Sequence, residues 1–195
     1  MLRKIAFAVL NSYYKLFVKE IGHGCMLHGG GRAINGSYVH LKDEIELGAN
    51  WLMAVYPEYG GMRSPVAAEK GRGIHLGNHV TANRNLTIYC AENITIEDNV
   101  MMGSSILITD NDHGTDGNGP EYWKQPLKTE PVLIHKGCLI CERACILKGT
   151  EIGERSVVAA NSVVKGKFPA YSMIAGSPAK VVRQWNRKTQ LWEKV

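Results

Sequence analysis

The chain has 195 residues, of which 45% are hydrophobic and 21% are charged. This balance is typical of one globular domain with its own core, and it excludes a disordered, collagen-like or membrane-bundle chain. The formal net charge of +5 favours an anionic ligand, but the basic residues form no dense run, so nucleic acid is not predicted as a partner.

The apolar pattern of residues 1–22 predicts an amphipathic helix that packs on its own domain. Apolar positions recur there at intervals of three and four residues. They are Leu2, Ile5, Ala6, Val9, Leu10, Tyr13, Leu16 and Phe17. Polar residues break the stretch before it reaches the length of a signal-peptide core or a membrane span. A weak contact with a membrane surface remains an alternative role.

An aliphatic residue recurs every six residues in the C-terminal half of the chain. The positions are Ile134, Ile140, Ile146, Ile152, Val158 and Val164. A small residue follows each of the first five after four positions, at Cys138, Ala144, Thr150, Ser156 and Ser162. The same spacing occurs upstream, at Leu76, Ala82 and Ile88 and at Ile96, Met102 and Ile108, with two extra residues near Glu92. This period predicts short strands joined by corners and stacked as a parallel β-helix, with about three hexapeptides in each coil.

Two stretches interrupt this period, at residues 55–73 and 110–131, and both are rich in glycine and proline. Loops of this length inside a solenoid are usually functional. We therefore predict an all-β solenoid over residues 23–182 that carries these two loops. Residues 183–195 are basic and amphipathic, and they predict a C-terminal helix that caps the open end.

Five cysteines, at positions 25, 90, 138, 141 and 145, form a poor disulfide framework because their number is odd. We predict that they are reduced and that the protein is cytoplasmic. Three of them lie close together, but neither a second cysteine pair nor a spaced histidine pair completes a tetrahedral zinc site. No metal is predicted.

Residues 75–185 resemble the hexapeptide-repeat acyltransferases, in the branch of the maltose, galactoside and Nod-factor acetyltransferases and the O-acetyltransferases of surface polysaccharides. The stretch TANRNLTIYCAENITIEDNVMMGSSILITDNDHG is similar to the catalytic half of that branch, and IGERSVVAANSVVKGKFPAYSMIAGSPAKVV to its acetyl-CoA half. The resemblance implies a left-handed β-helix and acetyl-CoA-dependent O-acetylation of a sugar hydroxyl, in building blocks of lipopolysaccharide, capsule or exopolysaccharide. It also implies a homotrimer with active sites between chains.

The resemblance implies that His113 is the catalytic base. The chemistry agrees, because a sugar hydroxyl must lose its proton as it attacks, and neutral imidazole suits that task near pH 7. Asp110 and Asp112 flank His113, and either could hold the imidazole in the required tautomer. No protein nucleophile is needed, because the thioester is already activated and the protein has only to position it and stabilise the oxyanion.

For the acceptor, the resemblance implies that Asn83 lines the pocket, and we assign Asn85 and Trp123 to the same site. For acetyl-CoA, it implies that pantetheine lies against two alanines and that the phosphates lie near basic side chains. These residues are Ala159, Ala160, Lys165, Lys180 and Arg183. We also assign Cys141 and Glu142 to the acetyl-CoA slot, although the family usually has glycine and a small hydroxyl residue there.

Two other functions remain open. The same fold and base serve N-acyl transfer to serine or an amino sugar. The same β-helical fold also occurs in the γ-class carbonic anhydrases, which are zinc lyases that need three histidines from adjacent coils and chains. His79 and His113 have a suitable spacing, but Asn118 stands where the closing histidine would be.

Overall fold

The computed structural model describes residues 2–195, with the side chains of residue 7 and of residues 9–195. This part has two α-helices, α1 (Leu2–Tyr14) and α2 (Pro65–Ala68), and two short 3-10 helices, Gly36–Tyr38 and Tyr122–Lys124. Most of its strands have only two or three residues. In chain order they are β1 (Glu20–Ile21), β2 (Met26–Leu27), β3 (Arg32–Ile34), β4 (Val39–Leu41), β5 (Glu46–Leu47), β6 (Leu52–Val55), β7 (Glu58–Tyr59), β8 (Met62–Arg63), β9 (Ile74–Leu76), β10 (Thr81–Ala82), β11 (Thr87–Cys90), β12 (Ile94–Ile96), β13 (Met101–Met102), β14 (Leu107–Thr109), β15 (Asn111–Asp112), β16 (Lys128–Thr129), β17 (Val132–Ile134), β18 (Leu139–Ile140), β19 (Cys145–Ile146), β20 (Glu151–Ile152), β21 (Val157–Val158), β22 (Val163–Val164), β23 (Lys167–Phe168), β24 (Ser172–Gly176), β25 (Ala179–Asn186) and β26 (Leu191–Lys194).

Three sheets form the walls of a prism. The first has the order β1-β4-β9-β12-β17-β20-β23, the second β2-β5-β10-β13-β18-β21-β24-β25-β26, and the third β22-β19-β14-β11-β6-β3. Each set of three main strands visits every sheet once, so the chain winds in stacked coils. Coil 1 is β1–β3, coil 2 is β4–β6, coil 3 is β9–β11, coil 4 is β12–β14, coil 5 is β17–β19, coil 6 is β20–β22, and β23 and β24 begin coil 7. The predicted stack of parallel strands is confirmed.

The six-residue period corresponds to one aliphatic residue on each wall. Ile134 pairs with Ile152 in the first sheet, Ile140 with Val158 in the second, and Ile146 with Val164 in the third. All six side chains are fully buried, and so are the small residues four positions further on. Burial of this apolar column stabilises the solenoid, because each aliphatic side chain contributes roughly 1.5–3 kcal/mol when it leaves water.

Both insertions project from the edge where the chain passes from the third sheet to the first, which we call the loop corner. The first lies between Val55 and Ile74 and contains the hairpin β7–β8 and helix α2. The second lies between Thr109 and Val132, with β15 and β16 paired antiparallel at its base. The two insertions touch, because a Cβ on Gly60 would lie 3.2 Å from the carbonyl oxygen of Lys124.

The predicted N-terminal helix over residues 1–22 is too long, since α1 ends at Tyr14. Strand β1 already pairs with coil 2 at Glu20 and Ile21, so residues 15–19 must form the turn that joins helix to coil. Helix α1 covers the N-terminal end of the prism, where the Tyr14 ring packs 4.9 Å from that of Trp51.

The prediction of a C-terminal capping helix over residues 183–195 is wrong. Strands β25 and β26 form an antiparallel hairpin that extends the second sheet, and the rings of Trp185 and Trp192 pack across it at 5.5 Å. Helix-like spacing of the basic residues suggested the helix. The segment forms a strand instead, because the backbone groups at the edge of β24 need hydrogen-bond partners and β25 supplies them.

Candidate active site

His113 lies in the second insertion, just after β15, and it is exposed to solvent. Its imidazole packs against Tyr59 of the first insertion, with ring centroids 5.3 Å apart and an interplanar angle of 59°. Since neither residue belongs to the repeat, the contact exists only because both insertions leave the same corner. The loop corner therefore presents an accessible imidazole held on one side by an aromatic ring.

Two more tyrosines extend this cluster along the loop corner. The Tyr56 ring lies 6.5 Å from that of Tyr59 and 6.2 Å from that of Tyr89, which belongs to coil 3. Burial, and then the neighbouring phenols of Tyr89 and Tyr59, raise the pKa of Tyr56. Tyr56 therefore stays neutral near pH 7, and the cluster forms a half-buried aromatic floor next to His113.

Asp110 is fully buried and anchors the base of the second insertion. Its Oδ1 accepts hydrogen bonds from the Ala91 N–H at 2.7 Å and the Asn111 Nδ2 at 2.9 Å, and its Oδ2 accepts one from the Glu92 N–H at 2.9 Å. The two backbone amides, of Ala91 and Glu92, belong to the corner of coil 3 that carries the two extra residues. Both carboxylate oxygens of Asp110 thus accept hydrogen bonds from local backbone and side-chain donors.

Asp112 directly precedes His113 and is exposed, and its Oδ2 lies 3.9 Å from the Nζ of Lys148. Lys148 is buried and forms a closer pair with Glu130, at 3.2 Å. Within the described residues, no carboxylate lies at salt-bridge distance from the His113 ring. The structure shows Tyr59 as the ring neighbour of His113, while both aspartates bond elsewhere.

A second feature lies where the chain passes from the second sheet to the third, which we call the groove corner. A groove of about 690 Å³ runs along it, lined by Asn83, Gly103, Cys141 and Glu142 among others. Backbone hydrogen bonds connect its coils, from the Asn83 N–H to the Met102 carbonyl, from Gly103 to Ile140 and from Cys141 to Val158. Ala159 continues the same column by donating to Ile174.

The N–H of Glu142 differs from those of the two residues beside it in the chain. Cys141 and Arg143 donate their N–H groups to Val158 and Ser104, whereas in residues 2–195 the Glu142 N–H has no backbone acceptor. A Cβ on Gly103 would lie 2.8 Å from this nitrogen, so the glycine keeps the approach to it open. Within the described residues, the equivalent N–H groups of Arg84, Ser104 and Ala160 in the neighbouring coils also lack a backbone acceptor. The groove corner therefore offers a row of unpaired donors, of which that of Glu142 lies beside Gly103.

Cys141 contributes a half-buried thiol to the same groove. Burial, and then the charge of Glu142, raise the pKa of this thiol. It is thus protonated near pH 7 and is a poor nucleophile. Its N–H is already used by Val158, so the departure from glycine at this position does not remove an available donor.

Comparisons with known proteins agree with this geometry. Residues 131–166 match the model of the family described as bacterial transferase hexapeptide (six repeats). An Escherichia coli K12 protein that carries the name of a lipopolysaccharide biosynthesis O-acetyl transferase, WbbJ, is 33% identical over 166 residues, covering 80% of each chain. The galactoside O-acetyltransferase of the same strain is 30% identical over 139 residues, covering 69% of this chain and 66% of that protein. The chain belongs to the hexapeptide-repeat acetyltransferases.

Solved structures show the same fold. A mutant of AntD, an N-acyltransferase from Bacillus cereus in complex with dTDP and coenzyme A, superposes with a TM-score of 0.74 at 16% identity, covering 92% of this chain and 90% of that one. An acetyltransferase from Vibrio cholerae in complex with acetyl coenzyme A gives a TM-score of 0.58 at 22% identity, covering 91% and 76%.

The remaining assigned residues of this acetyltransferase lie in several places. Ala160 follows Ala159 at the groove corner, and Lys180 lies on β25 opposite Ala175, one coil further along the same column. Arg183 lies on β25 opposite Met173. These two basic side chains and Lys165 are exposed. Lys180 and Arg183 are therefore available to an anionic ligand at the C-terminal end of the groove. Lys165 follows β22, where the chain passes from the third sheet to the first, and it lies at the loop corner instead.

Two residues assigned to the acceptor make local contacts of their own in the acetyltransferase. Asn85 adopts a left-handed backbone with φ of 62°, which asparagine tolerates better than most residues, and its amide lies 3.5 Å from the Ser105 hydroxyl. Trp123 is 62% exposed on the second insertion. The Lys124 ammonium lies 4.8 Å from the centre of its ring.

Sequence patterns did not indicate Tyr59, Lys148 or the Glu142 N–H. Tyr59 lies in a glycine-rich hairpin, where nothing in the local pattern reveals a partner in another insertion.

The two histidines of the zinc alternative lie at different corners of the prism. His79 lies between β9 and β10, with its Nδ1 2.7 Å from Glu44, whereas His113 lies at the loop corner. No group of three metal-binding side chains occurs in the part of the acetyltransferase that is described.

Proposed function

We propose that the protein transfers the acetyl group of acetyl-CoA to a sugar hydroxyl, in building blocks of lipopolysaccharide, capsule or exopolysaccharide. The observation that carries this proposal is the accessible imidazole of His113, held by Tyr59 on an aromatic floor. The names of the two E. coli relatives support the reaction and the carbohydrate acceptor. Tyrosine rings are suitable surfaces for the apolar face of a sugar ring.

In the proposed reaction, His113 takes the proton of the acceptor hydroxyl as its oxygen attacks the carbonyl carbon of the thioester. The Glu142 N–H donates to the oxygen that becomes negative, which stabilises the tetrahedral state. When that state collapses, the carbon–sulfur bond breaks and His113 returns the proton to the departing thiolate. Lys180 and Arg183 hold the phosphates of the co-substrate through charge-assisted hydrogen bonds.

A homotrimer of left-handed β-helices follows as part of the proposal. His113 projects from the loop corner and the Glu142 N–H from the groove corner of the same chain, so one chain keeps base and donor on different edges of the prism. Closed threefold symmetry brings the loop corner of one chain against the groove corner of the next. We place the enzyme in the cytoplasm, where acetyl-CoA is available and the five free cysteines remain reduced.

The test is an acceptor panel with acetyl-CoA, followed by thiol release, that contains sugars, amino sugars and serine. His113→Asn should lower kcat by about 10²–10⁴-fold with unchanged acetyl-CoA affinity, because general base catalysis contributes that much. His79→Asn is the matched control, since asparagine tolerates the left-handed backbone of this exposed position. Equal loss in both variants, together with bound zinc, would support the lyase instead. An amine product would identify an N-acyltransferase.

A further inference from the structure

Helix α1 and the turn after it have two apolar sides. Leu10, Tyr14 and Val18 pack against the core. On the other side, Val9 is 66% exposed, Tyr13 56%, Leu16 76% and Phe17 50%. We call these four residues the outer stripe.

The outer stripe is continuous. Its members are spaced by four, three and one residues, and the hydrogen bonds from the Lys15 N–H to Asn11 and from the Leu16 N–H to Tyr13 carry the helical turn past the end of α1. The rings of Tyr13 and Phe17 pack edge to face at 5.2 Å. Other exposed large apolar side chains of the described residues are scattered over the insertions, the groove and the C-terminal hairpin. A clustered apolar surface of this kind usually marks an interaction site.

The charge around the stripe indicates the partner. The first 19 residues contain Arg3, Lys4, Lys15 and Lys19 and no acidic residue, so four of the five net positive charges of the chain lie there. Lys15 and Lys19 are exposed beside the stripe. Exposed aromatic and aliphatic side chains flanked by lysines match the interfacial region of a bilayer with anionic headgroups.

We propose that the outer stripe docks the protein on the surface of a bilayer that contains anionic phospholipid. Tyr13, Leu16 and Phe17 enter the headgroup region, and Lys15 and Lys19 contact the phosphates. No helix of the described residues is both long and apolar enough to cross a bilayer, so the contact is peripheral.

The position of α1 leaves the His113 insertion free during docking, although Phe7 of α1 packs on His28 at the N-terminal end of the groove. The helix contacts β2 in coil 1, whereas the insertion with His113 leaves the prism after β14 in coil 4. With about 4.8 Å between coils, that insertion begins roughly 14 Å further along the prism. A sugar carried on a membrane lipid is the acceptor class that suits this arrangement. That consequence rests on the proposed function, whereas the docking itself does not.

Docking is tested by sedimenting the full-length protein, without substrates, with vesicles of phosphatidylcholine alone or with phosphatidylglycerol added in equal amount. The wild type should bind the anionic vesicles and be released by high salt. Leu16→Glu with Phe17→Glu should weaken binding by at least about a hundredfold, because burial of each of these two large apolar side chains is worth roughly a factor of ten or more. Lys15→Gln should weaken it by about fivefold.

The matched controls are Leu191→Glu, which changes an equally exposed leucine on β26, and Lys188→Gln in the same hairpin. Both should bind like the wild type. Absence of wild-type binding, or an equal loss in the controls, overturns docking. Loss of the oligomer in the stripe variant, seen by light scattering, with no vesicle binding by the wild type would show that the stripe is a subunit interface. Thiol release with a water-soluble acceptor measures the proposed function separately.

Discussion

The loop corner and the groove corner belong to the same coils. Backbone hydrogen bonds join the coils at both, as from Tyr56 to Cys90 and from Asp110 to Tyr89 at the loop corner, but in residues 2–195 only the loop corner carries insertions. At the loop corner the repeat is interrupted, and side chains such as Asp110 and Lys148 fasten the insertions to the prism. At the groove corner the repeat continues, and backbone hydrogen bonds at Asn83, Gly103 and Cys141 connect successive coils. The comparison indicates that the irregular corner supplies the reactive side chain, whereas the regular one supplies a continuous slot for an elongated ligand.

Among variants that keep His113, the largest effect should come from closing the groove corner at Glu142. Gly103→Ala would place a Cβ 2.8 Å from the Glu142 nitrogen, and loss of an oxyanion donor costs about a hundredfold or more in kcat. Gly48→Ala is the matched control, because its Cβ would lie 2.8 Å from the Arg84 nitrogen in the same kind of contact, away from Glu142. Steady-state kinetics and thermal melts of both variants separate catalysis from strain. Equal kcat values in the two variants would remove Glu142 from the mechanism.

Next in size should be the loss of the anchor at the loop corner. Asp110→Ala leaves the buried N–H of Ala91 and the partly buried N–H of Glu92 without their acceptor, which should lower the free energy of unfolding by about 3 kcal/mol. Asp112→Ala should change it by less than about 1 kcal/mol, because that carboxylate is exposed and its ion pair is long. Urea denaturation measures both. If Asp112→Ala lowered kcat as strongly as His113→Asn, Asp112 would instead be the group that orients the imidazole.

A smaller effect should follow from removing the ring beside His113. Tyr59→Ala should lower kcat by about tenfold, since the imidazole loses the contact that restricts it, and misplacement of a catalytic group is costly. Tyr59→Phe keeps the ring and should retain most of the activity, and Tyr122→Ala, which removes an exposed ring of the other insertion, should retain nearly all of it. The dissociation constant of acetyl-CoA should not change. If Tyr59→Phe were as slow as Tyr59→Ala, the hydroxyl group of Tyr59, and not its ring, would be the group that supports His113.

The regular corner was predictable from the sequence, and most of the irregular corner was not. A six-residue period identifies the side chains that point into the core. Ile140 and Val158 are three periods apart, so they could be assigned to one wall without a structure. The contact between Tyr59 and His113 depends on how two insertions fold against each other, and no periodic pattern encodes that. The free N–H of Glu142 recurs with the period, at Arg84, Ser104 and Ala160 within the described residues, but the period does not single out the one that lies next to the reacting thioester. At the C-terminus, the pairing of Trp185 with Trp192 outweighed a helix-like spacing of charges.

The last effect should be on KM alone, with kcat unchanged, at the phosphate end of the groove corner. Arg183 is exposed on β25, and a charge-assisted contact to a phosphate contributes roughly 1.5–3 kcal/mol. Arg183→Ala should therefore raise the KM for acetyl-CoA by about tenfold or more, with little change in the KM for the acceptor. Lys188→Ala, at the far end of the same hairpin, should leave both constants unchanged. Because the contact is open to solvent, salt should raise the wild-type KM towards that of the variant. If Arg183 only supports the hairpin, the variant will melt earlier with an unchanged KM, and the phosphates must then be held by Lys180.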